Sequence, residues 1–104
     1  MQHRYYKLVG RNVVPVLSAA EAFNCERRVA LTEIESVHVS TVFLGLNHAR
    51  DDGPPMLFET MVFDGPLSDE QDRCSTYDEA EAMHGRMCER VRQSIAEDDA
   101  EARG

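Results

Sequence analysis

Apolar and polar positions change their period several times along the chain, and each change predicts an element. Residues 4–9 and 12–17 are β-rich runs on either side of Gly10-Arg11-Asn12. They read as a hairpin whose turn places Gly10 or Asn12 at positive φ. Pro15 has no amide hydrogen to give a ladder, so the second run is expected at a sheet edge or to end early. Ser18 with Glu21 has capping-box spacing and predicts a short helix over about residues 19–26. From Arg28 to Ile34 polar and apolar residues alternate, which predicts a strand. Val37 to Leu46, rich in β-branched residues and phenylalanine, predicts the strongest strand. Met56 to Phe63 predicts the next. The polar loop 47–55 between them is too short for a crossover helix, so the two strands are expected to run antiparallel.

Asp64-Gly65-Pro66 breaks the pattern, and the polar, acidic stretch 67–72 reads as a loop. Arg73-Cys74-Ser75 reads as one short strand. Thr76 with Glu79 repeats the capping-box spacing and opens a long C-terminal helix. Ala80, Met83, His84, Met87, Cys88, Val91 and Ile95 recur at three and four, giving one apolar stripe to pack on the sheet. Asp78, Glu79 and Glu81 precede Arg86, Arg90 and Arg92, the order the helix dipole favours. The expected fold class is therefore α+β: an antiparallel sheet of about four to six strands with the long helix and the short one. Residues 1–96 are expected to form one domain, and 97–104 an acidic flexible tail.

At 104 residues, with 42% hydrophobic and 29% charged positions, the chain suits one core that needs no staples. No apolar run reaches the ~20 residues of a membrane helix, so no membrane role is expected, and a cytoplasmic location is. The odd set Cys25, Cys74 and Cys88 has no pairing pattern and is expected to stay reduced. The charge of −8 is uneven. Residues 1–50 hold six Lys/Arg and four Asp/Glu, and residues 51–104 hold five and fifteen. Such a surface repels phosphate backbones, which argues against direct nucleic-acid binding, and suits a basic partner, including a protein that itself binds nucleic acid.

Candidate chemistry is sparse. His84 and Cys88 share a helix face, and Cys74 or His48 could complete a ligand set with them, but no close ligand pair of the kind structural zinc uses is present. The stripe reading makes both residues core, and no metal or cofactor is expected. Ser40, His48 and Glu59 offer the residue types of a triad without a glycine-flanked elbow around the serine. No catalytic residue is assigned. Glu59 lies in an apolar strand on the side of Leu57, Met61 and Phe63, where a carboxylate must be paired, protonated or exposed. An arginine from a neighbouring strand, such as Arg28, is the expected partner. His48 and the acidic residues Asp51, Asp52, Asp64, Asp69, Glu70 and Asp72 fall in loops at opposite ends of the two long strands. Asp64, Asp69, Glu70, Asp72, His48 and Glu59 form the candidate partner-binding set.

Val39-Ser40-Thr41-Val42-Phe43-Leu44-Gly45-Leu46-Asn47-His48, then Gly53-Pro54-Pro55-Met56-Leu57-Phe58-Glu59-Thr60-Met61-Val62-Phe63, then Ser75-Thr76-Tyr77-Asp78-Glu79-Ala80 leading to His84, resemble a family of small proteins common in tailed bacteriophages and bacterial prophages. The resemblance covers roughly residues 28–95. Relatives more often carry Asp at the place of Asn47, Gly at that of Asp64 and an aromatic at that of Cys74. The family has no established activity, so the resemblance implies a setting and not a mechanism. In that setting three expectations stand side by side. The first is an accessory protein acting on a basic or nucleic-acid-binding host protein, as inhibitors of host defence of the anti-CRISPR kind do. The second is a small enzyme or metal-binding protein using His48, Glu59 and His84. The third is a virion structural or assembly factor.

The two long strands are apolar on both sides. In simple register, Val37, Val39, Phe43, Leu57, Met61 and Phe63 fall on one face and Val42, Leu44, Leu46, Met56, Phe58 and Val62 on the other. One long helix and one short helix with little apolar area cannot cover both. A homodimer through a sheet face, or burial of that face against a target, is expected.

Overall fold

The computed structural model describes residues 4–49 and 52–103. Asp51, one of the acidic candidates, lies outside the described residues. The fold is α+β, with a two-stranded and a four-stranded antiparallel sheet. The elements in chain order are β1 (Tyr5–Val9), β2 (Asn12–Val16), α1 (Ala19–Ala22), β3 (Arg28–Ile34), β4 (Val37–Phe43), β5 (Phe58–Phe63), β6 (Gln71–Cys74) and α2 (Tyr77–Arg103).

β1 and β2 form the expected hairpin, with Gly10 at φ 63° and Tyr6 opposite Pro15. The large sheet runs β3-β4-β5-β6, each pair a sequential antiparallel neighbour. The small hairpin docks on the continuation of β4: the Tyr6 amide donates to the Gly45 carbonyl and the Asn47 amide to that of Arg4. Its Tyr6 and Leu8 then join Phe43, Leu57, Phe58, Ala80 and Met83 in one buried cluster. A second cluster, Val37, Val39, Val62, Met87, Cys88 and Val91, lies one to two helical turns further along α2. Both clusters sit between α2 and one face of the large sheet.

Both capped helix starts are present. Thr76 Oγ1 accepts from the Glu79 amide, and Glu79 returns a carboxylate oxygen to the Thr76 amide, a complete box. Ser18 accepts from the Glu21 amide, while Glu21 reaches back to the amide of Leu17. The short helix is shorter than expected. It ends at Ala22, with Phe23 as its cap, because the chain must turn at once for the Arg27 carbonyl to accept from the Phe43 amide. The long helix continues beyond residue 96 to Arg103. The last strand starts earlier than expected: Gln71 and Asp72 pair with Met61 and Thr60, so Asp72 is a strand residue and not a loop residue.

The face assignment in simple register is corrected by the observed pairing. Phe43 lies opposite Phe58, Thr41 opposite Thr60 and Val39 opposite Val62. Directly opposed residues of an antiparallel pair share a side. Phe58 and Val62 therefore join Val39 and Phe43 against α2, and Met61 and Phe63 go to the other side with Val42. The irregular connection over residues 44–57, with Gly45 at φ 77°, sets a register that spacing alone does not reveal.

The β5–β6 turn is fixed by a close approach. Gly65 has φ 77°, and a Cβ there would stand 2.5 Å from Val37 Cγ2, which leaves no room for a side chain.

Candidate functional site

The face of the large sheet that turns away from α2 is the most unusual surface of the molecule. The register arranges it in three cross-strand rows. Arg28, Val42, Glu59 and Arg73 form the first, Leu31, Ser40, Met61 and Gln71 the second, and Glu33, His38 and Phe63 the third. Among the described residues neither helix packs on this face. Leu31 is 48% exposed and Phe63 45%, with Val42 and Met61 half-buried between them. Apolar side chains thus stand in water on the strands that make up the core.

Glu59 belongs to this face. Its partner is Arg73, directly opposite on β6, with Nε donating to the carboxylate at 2.9 Å. This corrects the expectation of Arg28. The cross-strand neighbour on the edge strand has the shorter reach, and Arg28 sits two strands away. Arg28 and Arg27 instead line an open cleft of about 390 Å³ with Glu26 and Val42. Arg27 is committed to its own chain. It donates to the Phe43 and Leu44 carbonyls and stacks its guanidinium 4.7 Å over the Phe23 ring.

The other candidates are not brought together with Glu59. His48 lies at the far end of the β4–β5 hairpin, its amide donating to Met56. Beside it, Asn47 Oδ1 accepts from the Ala49 and Met56 amides and ties the loop. Asp64, Asp69 and Glu70 lie in the β5–β6 turn at the opposite end, with Asp64 at φ 70° and Asp69 at φ 71°. Glu70 is paired with Arg90 at 2.8 Å. Glu35 in the β3–β4 turn lines one cleft with Asp99 of α2 at this same end. The projecting helix adds Glu97, Asp98 and Glu101, all exposed. Sequence reasoning treated these as a tail, although the run from Arg86 to Arg103 without a glycine or proline was the available signal that they continue the helix past the sheet. Acidic side chains thus outnumber Arg90 and Arg92 at this end of the strand axis, while Arg4, Arg11, Arg27 and Arg28 sit toward the other, where Glu26, Asp78 and Glu81 balance them.

His84 faces the opposite way from Glu59, into the core. Its Nδ1 is 2.7 Å from Thr41 Oγ1 and its Nε2 2.8 Å from Thr32 Oγ1, and Thr41 bonds Thr60 in turn. Two strands each supply one hydroxyl to the imidazole, and a third backs the Thr41 hydroxyl through Thr60. A neutral ring donates from one nitrogen and accepts at the other, so hydroxyls that rotate freely satisfy either tautomer. Burial pushes the imidazole below its ordinary pKa. The threonines escaped sequence reasoning because hydroxyls on a strand usually face water. The alternation Val39-Thr41-Phe43 was the signal that Thr41 points inward.

Cys74 is half-buried beside Phe58 and Tyr77. Burial pushes its thiol up to about 11, so it is protonated and a poor nucleophile at neutral pH. Among the described residues no three His, Cys, Asp or Glu side chains cluster closely enough to hold a metal ion, and no helix is long and apolar enough to cross a membrane.

The chain matches no family model, no curated protein and no solved structure.

Proposed function

We propose that this protein works by contact with other proteins through two surfaces, the open face of the four-stranded sheet and the acidic end. One observation carries the reading: Leu31 and Phe63 stand about half exposed beside Val42 and Met61 on a face that neither helix covers. Contiguous apolar surface of this kind is uncommon on proteins that act alone and marks interaction sites. The acidic end adds electrostatics. It attracts basic partners over roughly a Debye length and speeds their encounter more than it tightens the complex.

In the setting that the resemblance suggests, a tailed phage or prophage, the protein is an accessory factor in the host cytoplasm. The task that fits an acidic, partner-binding protein there is inhibition of a host defence that handles nucleic acid, because such a target is basic. The acidic end, with Asp64, Asp69 and Glu70, is the surface that meets it.

A photo-crosslinking amino acid at position 31, in bacteria that express the protein, tests the contact face. Adducts to protein in high yield at position 31, and few at an exposed control such as position 101, are the expected outcome. Equal, low yields at both positions would end the reading.

A further inference from the structure

The charges on the open face are placed so that the face complements itself. Arg28 and Arg73 stand against Glu33 and Glu59, and the middle row of Leu31, Ser40, Met61 and Gln71 carries no charge. A chain of net charge −8 therefore has here a surface with no formal excess of either sign. We propose that a second copy of this chain closes the face, related by a two-fold axis that runs across the strands along the middle row. The inference rests on reading the face as a contact surface and names its occupant.

Two independent features select this axis. The first is local. Turning a copy about the middle row lays the first row of one molecule on the third row of the other. β3 then faces β3, Leu31 meets Leu31, and Arg28 meets Glu33 of the second copy. The symmetry makes that contact twice. The alternative in-plane axis, along the strands, lays β3 on β6 and sets Arg28 against Arg73 of the second copy. Like charges in apposition disfavour that arrangement. Glu59 and Arg73 are already compensated within one chain, at 2.9 Å. Glu33 has only a 4.0 Å approach from His38, so it is open to a second partner, and both Glu33 and Arg28 are exposed.

The second feature is global. The β3–β4 turn, the β5–β6 turn and the projecting end of α2 gather at one end of the strand axis: Ile34, Leu67 and Ile95 pack on one cluster, and Glu35 and Asp99 line one cleft. That end holds the acidic excess. An axis across the strands sends the two acidic ends to opposite extremes of the dimer. An axis along the strands places them side by side, where they repel. The same two-fold thus pairs the local charges and separates the global ones. The product is two sheets face to face at the ~10 Å spacing of a sandwich. Both acidic ends remain free for a basic partner.

Sedimentation equilibrium on the purified chain across micromolar concentrations tests the proposal, with Arg28→Glu, Glu33→Arg and the double exchange Arg28→Glu/Glu33→Arg. All three change exposed side chains, and thermal melts confirm that each variant folds. The wild type is expected to approach twice the 11.7 kDa chain mass. Each single reversal is expected to weaken association on the order of tenfold or more, and the double exchange to recover most of the loss. Leu31→Asp, which sets two carboxylates against each other on the axis in place of the apolar contact, is expected to give monomers. Reversals that weaken association with no recovery in the double exchange would overturn this two-fold arrangement. A wild type that stays at 11.7 kDa throughout would overturn the second copy as occupant. In that case, adducts at position 31 to other proteins leave the contact face standing with a different occupant, and no adducts remove both.

Discussion

On β4, Val39 and Thr41 face α2 and are fully buried, while their neighbours Ser40 and Val42 face outward and are only half-buried. The inner side holds the polar side chains one would look for in water: His84 and three threonines, fully hydrogen-bonded among apolar neighbours. The outer side holds apolar side chains one would look for in a core: Leu31, Val42, Met61 and Phe63. Among the described residues no buried side-chain nitrogen or oxygen lacks a partner, so the inner side is complete as it stands. The outer side is not, because its apolar area finds no cover among the described residues. The difference teaches that polarity alone does not tell a finished surface from an unfinished one. Satisfaction does: a polar group in the dry interior is stable when every bond is made, and a contiguous apolar patch at the surface gains stability when a partner covers it.

The comparison breaks most visibly at two phenylalanines of one strand. Phe58→Ala removes a fully buried ring that meets Phe43 edge-on at 5.3 Å, and is expected to cost about 3–5 kcal/mol of unfolding free energy. Phe63→Ala, measured at dilution, is expected to change it by less than about 1 kcal/mol. Chemical denaturation of both variants measures the difference. Similar costs would mean that the outer face is part of the chain's own core.

The inner side sharpens the comparison through pH. In the unfolded chain the His84 imidazole titrates near ~6.5, and in the fold burial alone holds it lower. Strands β3 and β4 present hydroxyls to it, Thr60 of β5 backs the Thr41 hydroxyl, and none of the three gives it a carboxylate to stabilise a cation. Between the two values the unfolded chain carries a proton that the folded chain does not. Stability is therefore full above ~6.5 and falls as the pH drops through that window. His84→Gln cannot titrate. The wild-type denaturation midpoint should fall more steeply than the variant's between pH 7 and pH 5, and parallel curves would remove His84 from the pH response.

The smallest expected effect lies at the turn that ends both faces. Asp64 holds φ 70°, a region that costs a side-chain-bearing residue roughly 1 kcal/mol and glycine little. Asp64→Gly is expected to raise stability by about 0.5 kcal/mol, read as a higher thermal midpoint. A lower midpoint would show that the Asp64 side chain makes up for its backbone.

Much of this fold was legible because its signals are local. Thr76 and Glu79 announce the start of α2 within four residues, and the stripe from Ala80 to Ile95 states which side of the helix is buried. Gly10 marks the first hairpin. The face assignment was not legible, because it depends on register. Whether Met61 joins Val39 or Val42 turns on a shift of one residue across the connection 44–57, and a one-residue shift exchanges every side chain between faces. Glu59 was legible as a residue in need of a partner, but not its pairing with Arg73, since Gln71 and Asp72 read as loop until their pairing with β5 is known. The acidic end escaped for the same reason: Glu35, Glu70 and Asp99 are distant in sequence and meet only once the helix is laid on the sheet.

Methionine methyl signals, read by NMR with a soluble paramagnetic agent, compare the two faces within one molecule. Met83 and Met87 lie against the sheet at 2% exposure and should stay shielded under every condition. Met61, at the centre of the open face, should be shielded at high protein concentration and strongly broadened on dilution or in Leu31→Asp. A Met61 signal broadened equally in the concentrated wild type, the dilute wild type and Leu31→Asp would show that nothing covers this face, and would contradict the account.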